Sequence, residues 1–238
     1  MGHYTYLVID LASVLVPLIA SFHPRLRFVQ TWRAFWPACL LVALAFCIWD
    51  SYYTAWGIWG FNPRYITGIR VANLPLEEVL FFICIPYASL FTYHCIRVLL
   101  PRRSSGAWSV PVTIVLVGAL LTVASWYTQR LYTSVAFIVC AASLLTAWKI
   151  RAEWLPDFYR AFVVILIPFF IVNGLLTGTG LDQPVVWYNP AHHLGPRMLT
   201  IPVEDTFYGM ALLLLTTMIY EHLLKRKKGI ETRRLNPQ

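Results

Sequence analysis

Seven long apolar runs, separated by short polar stretches, make up most of this chain. They cover about 4–21, 34–51, 75–97, 108–126, 131–149, 161–180 and 201–224. Each comes close to the roughly 20 apolar residues that a helix needs to cross a hydrocarbon layer about 30 Å thick. The pattern predicts an all-α integral membrane fold with seven transmembrane helices. The first run lacks a basic leader and a small-residue cleavage site, so it is expected to stay in place as a span.

The polar landmarks between the runs occur twice, 127 residues apart. Trp32-Arg33-Ala34-Phe35 returns as Tyr159-Arg160-Ala161-Phe162, Phe61-Asn62-Pro63 as Tyr188-Asn189-Pro190, and Pro75-Leu76-Glu77-Glu78 as Pro202-Val203-Glu204-Asp205. Gly68 falls on Gly195 and Arg70 on Arg197 in the same register. Runs one to three therefore correspond to runs five to seven. A unit with an odd number of spans, repeated directly, would insert upside down, and the unmatched fourth run corrects this. The expected architecture is a 3+1+3 parallel internal repeat about a pseudo-twofold axis along the membrane normal. It divides the chain into a first repeat (1–100), a linker with the fourth span (101–130), and a second repeat with a basic tail (131–238).

Composition agrees with lipid as the solvent: 58% of the 238 residues are apolar and 13% charged. The net charge of +8 is mostly a matter of topology. Loops one-two, three-four and five-six carry Arg25, Arg27, Arg33, Arg97, Arg102, Arg103, Lys149, Arg151 and Arg160, and the tail adds Lys225, Arg226, Lys227, Lys228, Arg233 and Arg234. The other side has Arg64, Arg70, Arg130 and Arg197, a split of fifteen to four among the nineteen cations. Because cytoplasmic loops retain the positive excess, the N-terminus is expected outside and the C-terminus inside. The basic tail then meets anionic lipid headgroups and not nucleic acid.

Several chemistries find no support. The five cysteines lie within spans with no paired spacing, so neither a disulfide framework nor a zinc site is expected. There is no phosphate-binding loop, Gly178-Thr179-Gly180 is too little for a dinucleotide fold, and no lysine stands in mid-span to carry a chromophore. His192 and His193 are adjacent in an outer loop, where a structural role outweighs a metal or acid-base one. Among the acids, Glu153, Asp157 and Glu231 lie in basic inner segments and balance charge, whereas Asp10, Asp50, Glu77, Glu78, Glu204 and Asp205 fall in the outer third or at the ends of their spans. An ionisable side chain within a span costs about 2.5–3.5 kcal/mol even on the lenient insertion scale, so it usually faces a bundle interior and has a function.

A plain helix start accounts for part of the doublets, since Asn73 and Thr200 are suitable N-caps and acids in a first turn complement the helix dipole. One carboxylate would suffice for that. Two in succession project about 100° apart, and each doublet follows an arginine, Arg70 or Arg197, able to pair with one acid and leave its neighbour protonated. Aromatic residues, 16% of the chain, crowd both motifs: Trp49, Tyr52, Tyr53, Trp56, Trp59, Phe61, Phe81 and Phe82 around the first, Trp187, Tyr188, Phe207 and Tyr208 around the second. Some belong to an interfacial belt. A desolvated carboxylic acid ringed by aromatic faces can also protonate an apolar substrate and stabilise the resulting carbocation.

The strings Gly60-Phe61-Asn62-Pro63, Pro75-Leu76-Glu77-Glu78-Val79-Leu80-Phe81-Phe82, Arg160-Ala161-Phe162, Ile167-Pro168-Phe169, Asn173-Gly174-Leu175-Leu176-Thr177-Gly178 and Pro202-Val203-Glu204-Asp205-Thr206-Phe207-Tyr208 closely resemble the membrane-integral lycopene cyclases. These occur as two small subunits in some carotenoid-making bacteria and as one fused chain in other bacteria and in fungi. The chain resembles the fused form over nearly its whole length. The resemblance implies an enzyme that folds the acyclic ends of lycopene into rings without net redox change, with β-ionone rings the first choice and the ε and γ forms open. It implies no cofactor, no metal and no flavin-binding domain. Its partners would be lycopene or a related acyclic carotenoid, membrane lipid and other carotenoid-pathway enzymes. The expected catalytic acids are Glu77, Glu78, Glu204 and Asp205, with either member of each pair open as the donor and with Asp50 and Asp10 in second rank. Trp59, Phe61, Asn62, Arg70, Phe81, Phe82, Asn173, Trp187, Tyr188, Asn189, Arg197, Phe207 and Tyr208 are expected to bind substrate. The alternative is a small-solute transporter of the same repeat architecture. That function would place polar groups at mid-span, whereas here they gather near the outer ends.

Overall fold

The computed structural model describes residues 2–100 and 106–235, with side chains of the last helix described to Arg226. Arg102 and Arg103, and the side chains of Lys227, Lys228, Arg233 and Arg234, lie outside the described residues. The described residues form seven α-helices: α1 (Thr5–Ala20), α2 (Trp32–Ala55), α3 (Leu76–Leu99), α4 (Ser109–Trp126), α5 (Leu131–Lys149), α6 (Leu155–Leu176) and α7 (Val203–Leu235). Among the described residues six helical segments are long and apolar enough to cross a membrane, as expected of an integral membrane protein. The exception is α1, whose 16 residues extend about 24 Å at 1.5 Å per residue. The expected sixth span also moves. It begins at Leu155, with a proline in its first turn, and stops before Gly178, whose φ of 111° turns the chain out of the helix.

Six short strands, which the hydrophobic pattern does not announce, shape the loops: β1 (Trp59–Phe61), β2 (Arg70–Val71), β3 (Leu74–Pro75), β4 (Val186–Tyr188), β5 (Arg197–Met198) and β6 (Ile201–Pro202). Hairpin β2–β3 pairs Arg70 with Pro75, and hairpin β5–β6 pairs Arg197 with Pro202. Each turn holds one left-handed residue, Ala72 at φ 55° and Leu199 at φ 59°. These hairpins, and not side-chain caps, lead into α3 and α7. Asn73 bonds Ser51 and Thr200 bonds Thr177 and Thr179, so the expected N-caps are corrected. Strands β1 and β4 pair with each other across the two loops, Trp59 opposite Tyr188.

Helices α3 and α7 form the centre. The former packs on α1, α2, α6 and α7, the latter on α5, α2, α3 and α6, while α4 lies mainly against α5. Near the far ends of α3 and α7, Arg97 meets Glu221, which also accepts a hydrogen bond from Tyr93 at 2.9 Å. Asp157 of α6 joins through Arg97 at 3.8 Å and Arg160 at 3.4 Å. Asp157 balances charge as expected, but it does so while buried. Glu221, an acid within the last apolar run but not among the expected site residues, is buried at the middle of this network.

Candidate active site

At the opposite end of the bundle the two acidic doublets divide in the same way. Successive helical residues point about 100° apart, so one acid of each pair turns to the loop and the other inward. Glu77 Oε1 accepts the backbone N–H of Thr67 at 2.7 Å, and Glu204 Oε1 accepts that of Leu194 at 2.6 Å. Thr67 and Leu194 are themselves 127 positions apart. Thr133 donates a second hydrogen bond to Glu204 Oε1, at 2.6 Å. Both loop-facing acids are fully buried.

The second acids, Glu78 and Asp205, line a cavity of about 300 Å³ bounded by α1, α3, α6 and α7. Tyr6 Oη donates to Glu78 Oε2 at 2.5 Å, while Tyr132 and Tyr188 donate to Asp205 Oδ1 and Oδ2 at 2.5 and 2.9 Å. Burial, reinforced by Asp205, pushes the Tyr188 phenol well above its ordinary pKa and keeps it a donor. Asp50 also lines this cavity, and its Oδ2 is buried with no hydrogen-bond partner among the described residues. Asp10 is buried with neither oxygen bonded and does not line the cavity.

Aromatic rings surround this end. Tyr208 sits 5.0 Å from Trp49 and 6.0 Å from Trp59, ring centre to ring centre, with its hydroxyl unpaired. From Glu78 the cleft follows α3 to Thr92, a length of about 21 Å, past Ile85, Ala88 and Ser89, with Phe162, Ile165 and Phe169 of α6 opposite. Lining of this kind suits a long apolar ligand that presents one end to the acids.

The 127-residue spacing places different side chains at the equivalent position in the other half. Asn173 and Leu176 line it from α6, and the positions 127 residues earlier hold Phe46 and Trp49 of α2. Both of those rings pack against Tyr208, at 5.1 and 5.0 Å. Aromatic rings thus stand on α2 where α6 has Asn173 and Leu176 on the cavity.

Of the residues expected to bind substrate, Trp59, Phe61, Phe81, Asn173, Tyr188 and Tyr208 line the cavity. The others do not. Arg70 and Arg197 are exposed and donate to the carbonyls of Asn73 and Thr200, so neither pairs with an acid. Asn62 bonds Gln183 and Pro184, and Asn189 bonds Gly57, each securing a loop. Trp187 is 44% exposed and lies over Gly60, whose lack of a Cβ admits the ring. Phe82 is buried beside Phe46, and Phe207 packs on Phe137. Of the loop histidines, His192 accepts the Tyr132 N–H at its backbone carbonyl while its Nδ1 is unpaired, and His193, its pKa lowered by burial, accepts the Gly195 N–H at Nδ1 at 3.1 Å with Nε2 unpaired. Sequence reasoning missed Tyr6, Tyr132 and Thr133, the partners of the acids. Their only signal is position, at the starts of the two helices that pack beside α3 and α7.

A family model described as lycopene cyclase matches residues 3–96 and 129–223. Two curated relatives are bifunctional lycopene cyclase/phytoene synthases. The one from Neurospora crassa is 25% identical over 182 residues, 67% of this chain and 29% of the relative. The one from Aspergillus niger is 34% identical over 58 residues, 23% of this chain and 10% of the relative. The chain thus spans under a third of the length of these relatives. No solved structure matches.

Proposed function

The chain belongs to the lycopene cyclase family, and on that premise we propose that it closes the acyclic end groups of lycopene into β-ionone rings by a proton-initiated, redox-neutral reaction. The observation that carries the proposal is the placement of Glu78, Asp205 and Asp50 at one end of a single apolar, aromatic-lined cleft. A carboxylic acid gives its proton to the terminal double bond, forming a C–H bond and a tertiary cation. The next double bond along the chain attacks the cation, closing a six-membered ring with a new C–C bond and leaving the positive charge on the ring. Loss of a ring proton to a carboxylate leaves the ring double bond, so one proton is given and one taken. The water-poor site favours this path because few nucleophiles are present to trap the cation, and ring faces stabilise it. Phe61, Phe81 and Tyr208 are assigned to the end group, Asn173 and the far α3 and α6 residues to the remaining chain.

The proposal extends to architecture. The division at 1–100, 101–130 and 131–238 is supported by the two matched segments that flank α4. The parallel repeat is supported by the like hairpins and by α3 and α7 running in the same direction, with Glu78 near Asp205 at one end and Arg97 against Glu221 at the other. The chain is then a multi-pass protein, of the cell membrane in a bacterium, with its N-terminus outside. A reporter fused after Gln238 should be cytoplasmic and one near Gly180 external; both on one side would defeat the parallel arrangement.

Expression in a lycopene-accumulating host, followed by chromatography of the pigments, tests the activity. The expected result is conversion of lycopene to β-ringed carotenoids, and purified protein in lipid should do the same with no flavin or nicotinamide added. Unchanged lycopene in cells that insert the protein would overturn the assignment.

A further inference from the structure

The two cavity acids are not held alike. Asp205 accepts a phenol proton at each oxygen, from Tyr132 and from Tyr188. Glu78 accepts one, from Tyr6 at Oε2, and among the described residues its Oε1 meets no donor. The cause is legible in the repeat. The position 127 residues before Tyr188 is Phe61, which lines the cavity but has no hydroxyl to offer Glu78.

Building on the cyclase reading, we propose that Glu78 alone carries and delivers the proton, while Asp205 is a standing carboxylate that serves as counter-ion to the carbocation. A donor needs an oxygen free to aim its O–H at the substrate, and Glu78 has one. Asp205 has both oxygens engaged by donors, the arrangement that suits an anion. A bare buried carboxylate is costly, and two phenols offset much of that cost. In a dry cleft such an anion attracts the developing positive charge far more strongly than it would in water. Asp50, which lines the same cavity, takes the ring proton. Glu78 loses a proton as the first C–H bond forms. The electrons of the broken ring C–H bond become the ring double bond, and Asp205 exchanges no proton. Tyr132 and Tyr188 are positioning residues in this scheme.

The test uses N,N-dimethyldodecylamine, an ammonium ion at neutral pH that mimics the cation, and lycopene itself, with binding to full-length protein in lipid measured for both. Asp205→Asn should weaken the amine by about tenfold or more, roughly 1.4 kcal/mol, while lycopene affinity stays within about threefold. Glu78→Gln should leave both within about threefold. Should Asp205→Asn fail to insert, the Tyr132→Phe, Tyr188→Phe double variant retains the acid and should still weaken the amine. Phe61→Tyr, which offers Glu78 a second donor, should slow turnover by about tenfold with amine binding unchanged. Amine affinity lost in Glu78→Gln and not in Asp205→Asn, or lost in neither, overturns the division of roles and leaves the cyclase assignment standing. A parent protein that neither binds nor converts lycopene overturns both.

Discussion

Replacing Glu78 by Gln should lower lycopene turnover by roughly a hundredfold or more, the scale expected when a general acid is removed. The amide keeps the shape of the side chain and can still accept from Tyr6, so the protein should insert and be recovered in normal amount. Loss of a dipole interaction at the start of α3 would account for only about 0.3–1 kcal/mol, far too little for such an effect. Glu77→Gln and Glu204→Gln provide the contrast. Their carbonyl oxygens can go on accepting the N–H groups of Thr67 and Leu194, so the loops should hold and the rate should fall only slightly. Assays of pigment conversion against protein recovered from the membrane separate these cases. A Glu78→Gln variant working at near-parental rate would move the donor elsewhere, with Asp50 next to be examined.

The second large effect comes from filling the cleft. Asn173→Phe together with Leu176→Trp would give α6 the residues that α2 carries at Phe46 and Trp49. Those rings already pack stably at the equivalent place on the other side, against Tyr208. On the α6 side they would occupy space that the substrate needs. kcat/KM for lycopene should drop by about a hundredfold, equivalent to about 2.7 kcal/mol, with thermal stability close to that of the parent. Substrate conversion and a melting curve on the same preparation check both halves of the expectation. Normal conversion by a stable double variant would mean that lycopene binds somewhere other than this cavity.

The apolar runs made the helices legible because a membrane span announces itself by length and composition alone. The hairpins were hidden for the opposite reason. Arg70–Val71 and Leu74–Pro75 are two-residue strands with no room for a periodic pattern, and the turn between them depends on Ala72 in a left-handed conformation that alanine does not advertise. The acids stood out because a carboxylate is rare in lipid. Their division into loop-holding Glu77 and Glu204 and cavity-lining Glu78 and Asp205 depends on helix phase, which a one-residue shift of the start would reverse. Tyr6 and Tyr132 looked like any interfacial aromatic. The pairing of Arg70 and Arg197 with acids failed because sequence proximity does not fix direction, and each guanidinium turns back on its own hairpin.

The β1–β4 ribbon has a consequence for biosynthesis. Its two strands lie 129 residues apart, Trp59 opposite Tyr188, and Tyr188 is also a donor to Asp205. A chain emerging from the ribosome can insert α1 to α3 and fold their hairpin early. The cavity has to wait until α6, the loop after it and α7 have been made, because Asp205 and Tyr208 line it. Long-range closure of this kind is a slow, late step in folding. Until it happens, Trp59 and Glu78 face a half-built wall, so the cavity is complete only when nearly all the bundle has been assembled.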